Sequence, residues 1–259
     1  MGEKISTGKL SSNKRGARAR TGMIRPYILW LAFLYCAAGL AADGWAGRPA
    51  VDLALVLAVD ASGSVDDGEF KLQLAGIATG FRDPKVRGAI KSGPEARIAV
   101  MLLVWADHQV PKDRSNWFVI ASDQDAETFA QVAETFARNQ NGATGIGEGL
   151  AAALRAIDTS GFDARRRVVD VSGDGRETAA REFVVLLPQA RAMAYSQGVT
   201  VNGLAIANED PGLLSYYRNA VQTGPGSFTL AAASYETFAE AMRRKLLREI
   251  EYRPAISQR

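Results

Sequence analysis

The stretch Val51-Asp-Leu-Ala-Leu-Val-Leu-Ala-Val59, followed at once by Asp60-Ala-Ser62-Gly-Ser64, decides how the rest of the chain reads. Asp52 alone interrupts the apolar run, and a strand with one wet face would instead alternate apolar and polar residues. A strand covered on both faces fits the pattern, and covering both faces takes two layers of helix. The run ends in small polar residues, so the chain leaves the sheet at Asp60 with side-chain oxygens at hand.

Working outward, helical spacing predicts a helix over Glu69–Arg82, with Phe70, Leu74, Ile77 and Phe81 on one face. Ala96–Trp105 is a second buried strand. Trp117–Ala121 is a short third, near enough to its predecessor to pair with it as an antiparallel edge. Ser122 caps a further helix, with Asp123 and Asp125 in its first turn and Phe129, Val132 and Phe136 on its inner stripe. The second half alternates regularly. Helix Ile146–Ile157 precedes strand Arg167–Ser172, and helix Ala179–Gln197, kinked or broken near Pro188, precedes strand Val199–Ile206. A short helix near Leu213–Val221 leads to strand Ser227–Ala232 and to a last helix, Tyr235–Glu251, that buries Phe238, Met242, Leu246 and Ile250. Such alternation implies an α/β fold in three αβα layers, Rossmann-like, with a mainly parallel sheet. No repeat or Pro-rich linker divides residues 51–252, which read as one domain.

Ligands of open α/β sheets bind beyond the carboxyl ends of the strands, at the switch in strand order. Three segments fall there: Asp60-Ala-Ser62-Gly-Ser64 after the first strand, Thr144 in the turn Asn141–Gly145, and Asp174 in Ser172-Gly-Asp-Gly175. Asp60, Ser62, Ser64, Thr144 and Asp174 offer oxygen donors and neither nitrogen nor sulfur, the chemistry of a hard cation such as Mg²⁺, with Mn²⁺ or Ca²⁺ as alternatives. Neutral hydroxyl ligands leave such an ion with positive charge to spare for a carboxylate from another molecule. Asp60, Ser62 and Ser64 would converge if the backbone stayed extended past the strand.

Asp-x-Ser-x-Ser after an apolar first strand, a later Thr, and Asp-Gly after the fourth strand together resemble the metal-ion-dependent adhesion site (MIDAS) of von Willebrand factor A (VWA) domains. The resemblance spans roughly residues 51–250. The segments RRRVVDVSGDG, VNGLAI, GPGSF and RRKLLREI are further similar to a family of bacterial secreted VWA-like proteins. The likeness implies that Ser62, Ser64 and Thr144 touch the metal, that Asp60 and Asp174 act mostly through water, and that one position stays open for a partner's Asp or Glu. The third motif departs from the usual apolar strand running into Thr-Asp-Gly: Ser172-Gly173 stands before Asp174, and Asp170 lies inside the strand as an alternative ligand.

The formal charge of +3 comes from the first 42 residues, which hold seven Lys/Arg and one acid. The rest keeps 24 basic against 27 acidic residues, so nothing in the domain's charge asks for nucleic acid. Those 42 residues have the basic, apolar and small-residue order of a signal peptide, with cleavage after Ala41, Ala42 or Ala46. Met23 would begin a more ordinary leader, which makes residues 1–22 an over-extended start. The alternative is an uncleaved anchor, the one route to a membrane. The expected location is the periplasm or outside the cell. Cys36 lies within the leader, so the domain has no disulfide or thiol chemistry.

These readings predict an exported, non-enzymatic module that binds a protein's carboxylate through its cation. Two alternatives stand beside it. A metal-dependent phosphatase is suggested by Gly173-Asp-Gly175 with Glu177, although Ser62 stands where its general acid would be needed. A structural envelope protein with a vestigial site is the other. His108, the only histidine, reads as a solvated loop residue, and Arg243, Arg244, Lys245 and Arg248 as a solvated helix face. A strand-interior Asp170 reads as pairing with Arg166 or a backbone group.

Overall fold

A computed structural model describes residues 47–108, 111–178 and 184–251. The leader lies outside them, as do the first five residues of the helix expected from Ala179. The first half of the chain runs β1 (Ala50–Val51), β2 (Leu53–Asp60), α1 (Asp67–Arg82), α2 (Pro84–Lys91), β3 (Ile98–Trp105), β4 (Asp113–Arg114), β5 (Phe118–Ile120) and α3 (Asp123–Glu134). The second half runs α4 (Ile146–Asp158), β6 (Asp163–Ala164), β7 (Arg167–Gly173), α5 (Leu187–Ser196), β8 (Thr200–Ile206), α6 (Leu213–Tyr216) with a π-turn at Tyr217–Val221, β9 (Thr229–Ala232), a 3-10 turn at Tyr235–Thr237, and α7 (Phe238–Ile250).

Strands β3, β2, β7, β8 and β9 lie side by side and parallel, and β4 and β5 both pair antiparallel with the outer side of β3. The antiparallel edge is therefore two short strands rather than one. The small parallel pair β1–β6 stands apart.

Every residue of β2 is buried because the pleat sends alternate side chains into two different cores. Leu53, Leu55, Leu57 and Val59 pack with Phe70, Leu74, Ile77 and Phe81 of α1 and with α3 and α7. Val56 and Ala58 face Ile146, Leu150 and Leu154 of α4, with α5 beyond. That produces the expected three layers, and it is a VWA-like architecture.

Three local readings change. Residues 83–95 carry helix α2, which the sequence reading left unassigned: Asp83 ends α1 and at once caps α2, accepting from Lys85 N at 2.8 Å, with Pro84 in the first turn. Pro188 does not break a long helix, since α5 begins only at Leu187 and Pro188 occupies its first turn, where a missing N–H costs nothing. The helix from Ser122 stops at Glu134, leaving Phe136 beyond it as a half-buried packing residue. No helix among the described residues is long and apolar enough to cross a membrane.

Candidate metal centre

Strand β2 has β3, the next parallel strand in the chain, on one side and β7, the later arrival, on the other, so the order switches at the carboxyl ends of β2 and β7. Asp60 is the last residue of β2, in register with Trp105 of β3. The chain then turns, contrary to the extended path expected. Ser62 N donates to Asp60 Oδ1 at 2.7 Å, and Val65 N donates to Ser62 O at 3.1 Å. An Asp side chain that captures the amide two residues on makes a turn of its own, and it competes with continued extension. Convergence is thus achieved by folding back.

The hydroxyls of Ser62 and Ser64 lie 3.3 Å apart, and Ser64 Oγ donates to Asp174 Oδ1 at 2.7 Å across 110 residues of chain. Thr144 sits alongside the third segment. Its carbonyl accepts from Thr178 N at 3.0 Å, and a methyl placed on Gly175 would lie 3.4 Å from its Oγ1. The turn carrying Thr144 is pinned to the first segment by Gly63 N donating to Gly142 O at 2.7 Å, with Gly142 at φ +107, where a side chain would be strained. All five expected residues therefore meet at one sheet edge. Asp60, Ser62, Thr144 and Asp174 are buried, and Ser64 is exposed.

Asp170 does not belong to this group. It lies inside β7, and its carboxylate pairs with Lys245 of α7 at 2.6 Å; Lys245 also meets Glu249 at 2.7 Å. Arg166, the partner expected for Asp170, instead donates to the carbonyls of Glu249 and Ile250. The Ser-Gly departure also has a physical reason. Gly173 is the last residue of β7, and a methyl there would fall 2.7 Å from both Asp60 Oδ2 and the Tyr217 hydroxyl.

Burial pushes the Asp60 carboxyl up to about 7, Asp174 adds repulsion, and the Ser62 amide opposes both. Asp60 Oδ2 is buried without a hydrogen-bond partner. A buried, partnerless carboxylate oxygen is costly unless a proton or a cation compensates it. Two carboxylates and three hydroxyls are too few acids for a carboxylate cage, and no group of three or more His, Cys, Asp or Glu gathers for a metal among the described residues. The donor set fits an ion of the Mg²⁺ type that retains several waters.

Supporting residues missed by the sequence reading surround the cluster. Gln73 Nε2 donates to Asp60 O at 3.0 Å, and Tyr235 OH donates to Asp174 Oδ2 at 2.9 Å. Arg138 donates to the carbonyls of Ala61, Ser62 and Val65 and pairs with Asp67. Gln73 stood on the inner stripe of α1 beside Phe70 and Leu74, a signal that could have been used. Nothing local marked Arg138 or Tyr235. Glu177 accepts from Gly147 N at 3.0 Å and so caps α4, whose own N-cap is Gly145. His108 is buried rather than solvated, 3.2 Å from Thr178 Oγ1 and 3.7 Å from Glu177.

A sequence family described as protein of unknown function (DUF1194) matches residues 50–254. The chain belongs to DUF1194. No curated protein matches this DUF1194 chain in sequence. Among solved structures it is similar to the pilus adhesin SpaC from Lactobacillus rhamnosus GG, with TM-score 0.54 and 14% identity over 79% of this chain and 31% of that one. It is similar to proximal thread matrix protein 1 from the mussel byssus with a zinc-occupied MIDAS motif, with TM-score 0.51 and 14% identity over 79% and 49%. A third is the vWF domain of the type V pili tip protein Mfa5 from Porphyromonas gingivalis, with TM-score 0.50 and 12% identity over 79% and 98%. At these identities the likeness is one of fold, and the DUF1194 chain spans about a third to a half of the first two proteins.

Proposed function

We propose that this protein is an exported binding module. In this reading it holds a divalent cation, Mg²⁺ or Mn²⁺, at Asp60, Ser62, Ser64, Thr144 and Asp174, and uses it to engage an Asp or Glu side chain on a partner protein. The observation that carries the reading is the buried, partnerless Oδ2 of Asp60 at the switch point, on a residue that shares this edge with the oxygen-bearing side chains of Ser62, Ser64, Thr144 and Asp174. The ion would supply charge for an incoming carboxylate. The chain's own residues hold the loops: Arg138 fixes the Ser62 turn, Tyr235 orients Asp174, and Gly142 and Gly63 dock the Thr144 turn. Export rests on the order of residues 1–42, which places the mature start between 42 and 47.

A calorimetric Mg²⁺ titration tests the first half of the reading. Ion binding to the folded state at a hundredfold excess over Kd should stabilise it by about 2.7 kcal/mol. That gain should vanish in Asp60→Ala and shrink in Thr144→Ala; an equal gain in Asp60→Ala would sink the site. Capture of an envelope protein should then be chelator-sensitive, be lost in Asp60→Ala, and depend on one acidic residue of that protein. Metal-dependent turnover of a phosphate ester, lost in Asp60→Ala, would replace this reading with the enzymatic one.

A further inference from the structure

At the sheet edge opposite the metal centre, three segments that the metal site leaves unused come together: Arg165-Arg166-Arg167 entering β7, Pro225, Gly226 and Phe228 before β9, and the end of α7 at Arg248. They line a recess of about 510 Å³. We propose that this recess binds a phosphate-class oxoanion, either free or carried on a lipid headgroup.

The charge balance is the first ground. Four arginines line the recess, Arg165 to Arg167 and Arg248, against two acids, Glu249 and Glu251. Glu249 is already engaged below by Lys245 and by Asn202 Nδ2, both at 2.7 Å. Arg165 is engaged by Glu95 at 2.6 Å, so the surplus lies with Arg167 and Arg248, neither of which pairs with a carboxylate among the described residues.

The second ground is that both guanidinium groups are held in place by contacts that leave their charge uncompensated. The guanidinium carbon of Arg248 lies 3.8 Å from the centre of the Phe228 ring, a cation–π contact that holds the group against the ring and uses none of its N–H donors. Arg167 Nη2 donates to the carbonyl of Gln197 at 2.5 Å, which spends one donor and no charge. Phe228 is buried beneath, and Lys245 lies on its ring at 5.7 Å. Positioned arginine forks with unspent donors are suited to the tetrahedral oxygens of phosphate, and a fixed fork loses less entropy on binding than a loose lysine. Arg166 has a different task, capping the carbonyls at the end of α7.

The test uses the full chain in chelator, so that no metal-bound phosphate contributes. Inorganic phosphate and pyrophosphate are titrated by calorimetry, and vesicles of phosphatidylglycerol are compared with phosphatidylcholine by cosedimentation. Saturable binding in either arm is expected, weakened by about tenfold in Arg167→Gln or Arg248→Gln and further in the double variant. Arg248→Lys, which keeps the charge and loses the planar fork of donors, should also weaken it. Binding of the free anions alone assigns a soluble ligand, and binding of the anionic vesicles alone assigns a headgroup. Asp60→Ala should bind like wild type, so loss of the metal reading would leave this one standing. No binding in either arm, or equal binding by a double variant whose circular dichroism and denaturation midpoint match wild type, overturns the proposal.

Discussion

At Gly173 one added methyl would meet Asp60 Oδ2 and the Tyr217 hydroxyl at 2.7 Å each, the ends of two fully buried side chains that would have to shift inside a packed interior. Gly173→Ala should therefore cost about 1–3 kcal/mol of stability, the usual range for forcing atoms into a packed interior. Its Mg²⁺ affinity should fall along with stability, because the carboxylate it displaces is the proposed anchor. Urea denaturation and calorimetry on the same preparation check both; an unchanged denaturation midpoint would mean that the strand end yields easily. The same position explains a limit on reading ahead. The sequence put Asp60, Ser62, Ser64, Thr144 and Asp174 at one end of the sheet, where the structure also brings them together, but left Asp170 open as an alternative to Asp174. Its pairing with Lys245, which sets it apart from that group, was out of sight because the partner comes from a helix 75 positions later in the chain. Burial of Lys245 was illegible for the same reason, because three neighbouring basic residues disguised it as part of a wet stripe.

Between elements, the loops of the site are tied by residues that make no claim to be ligands. Arg138 spans three carbonyls of the 61–65 turn and the Asp67 carboxylate. Arg138→Ala strands those carbonyls and should cost about 1–3 kcal/mol. Amide exchange in residues 61–66 should quicken in this variant while exchange in β2 stays slow; equal protection in both would deny Arg138 its holding role. A second test concerns the junction of α1 and α2. Asp83→Ala removes the acceptor for Lys85 N and Val86 N and should lower stability by about 1 kcal/mol, read as a shift in denaturation midpoint without a change in slope. The strands and long helices were legible because each carries its own period: β2 and β3 as unbroken apolar runs, α1 and α7 as inner stripes. Helix α2 carries too short a stripe, and Asp83-Pro84 looks like a turn until a second helix is seen to begin there. Pro188 misled in the opposite sense, since a proline in a first turn and a proline in a break look alike in one dimension.

Across the whole molecule, the buried acids set a pH dependence. Glu177 is pushed up to about 7 by burial, against an ordinary 4.5, while the amides of Gly147 and Ile146 pull it back. Asp170 is also raised by burial, with Glu249 adding to the effect and Lys245 opposing it. A carboxyl with a folded pKa above its unfolded one holds its proton longer in the native state, so its contribution is complete below about 4 and is lost as pH rises toward 7. The denaturation midpoint in chelator should accordingly fall between pH 4.5 and 7.5. The fall should be shallower in Asp170→Asn, and shallower in Glu177→Gln, which retains a cap for α4; a midpoint rising over that window would contradict the assignment. Lys245, reaching from α7 to Asp170 of the sheet with no exposed surface, also offers a chemical clock. Lys71, Lys85 and Lys91 are exposed and Lys112 is half-buried, so an amine-directed acylating reagent would modify those four first. Lys245 would react only when α7 lifts away from Asp170 or the domain opens entirely, and its labelling rate, followed by mass spectrometry, would report how often that happens under native conditions.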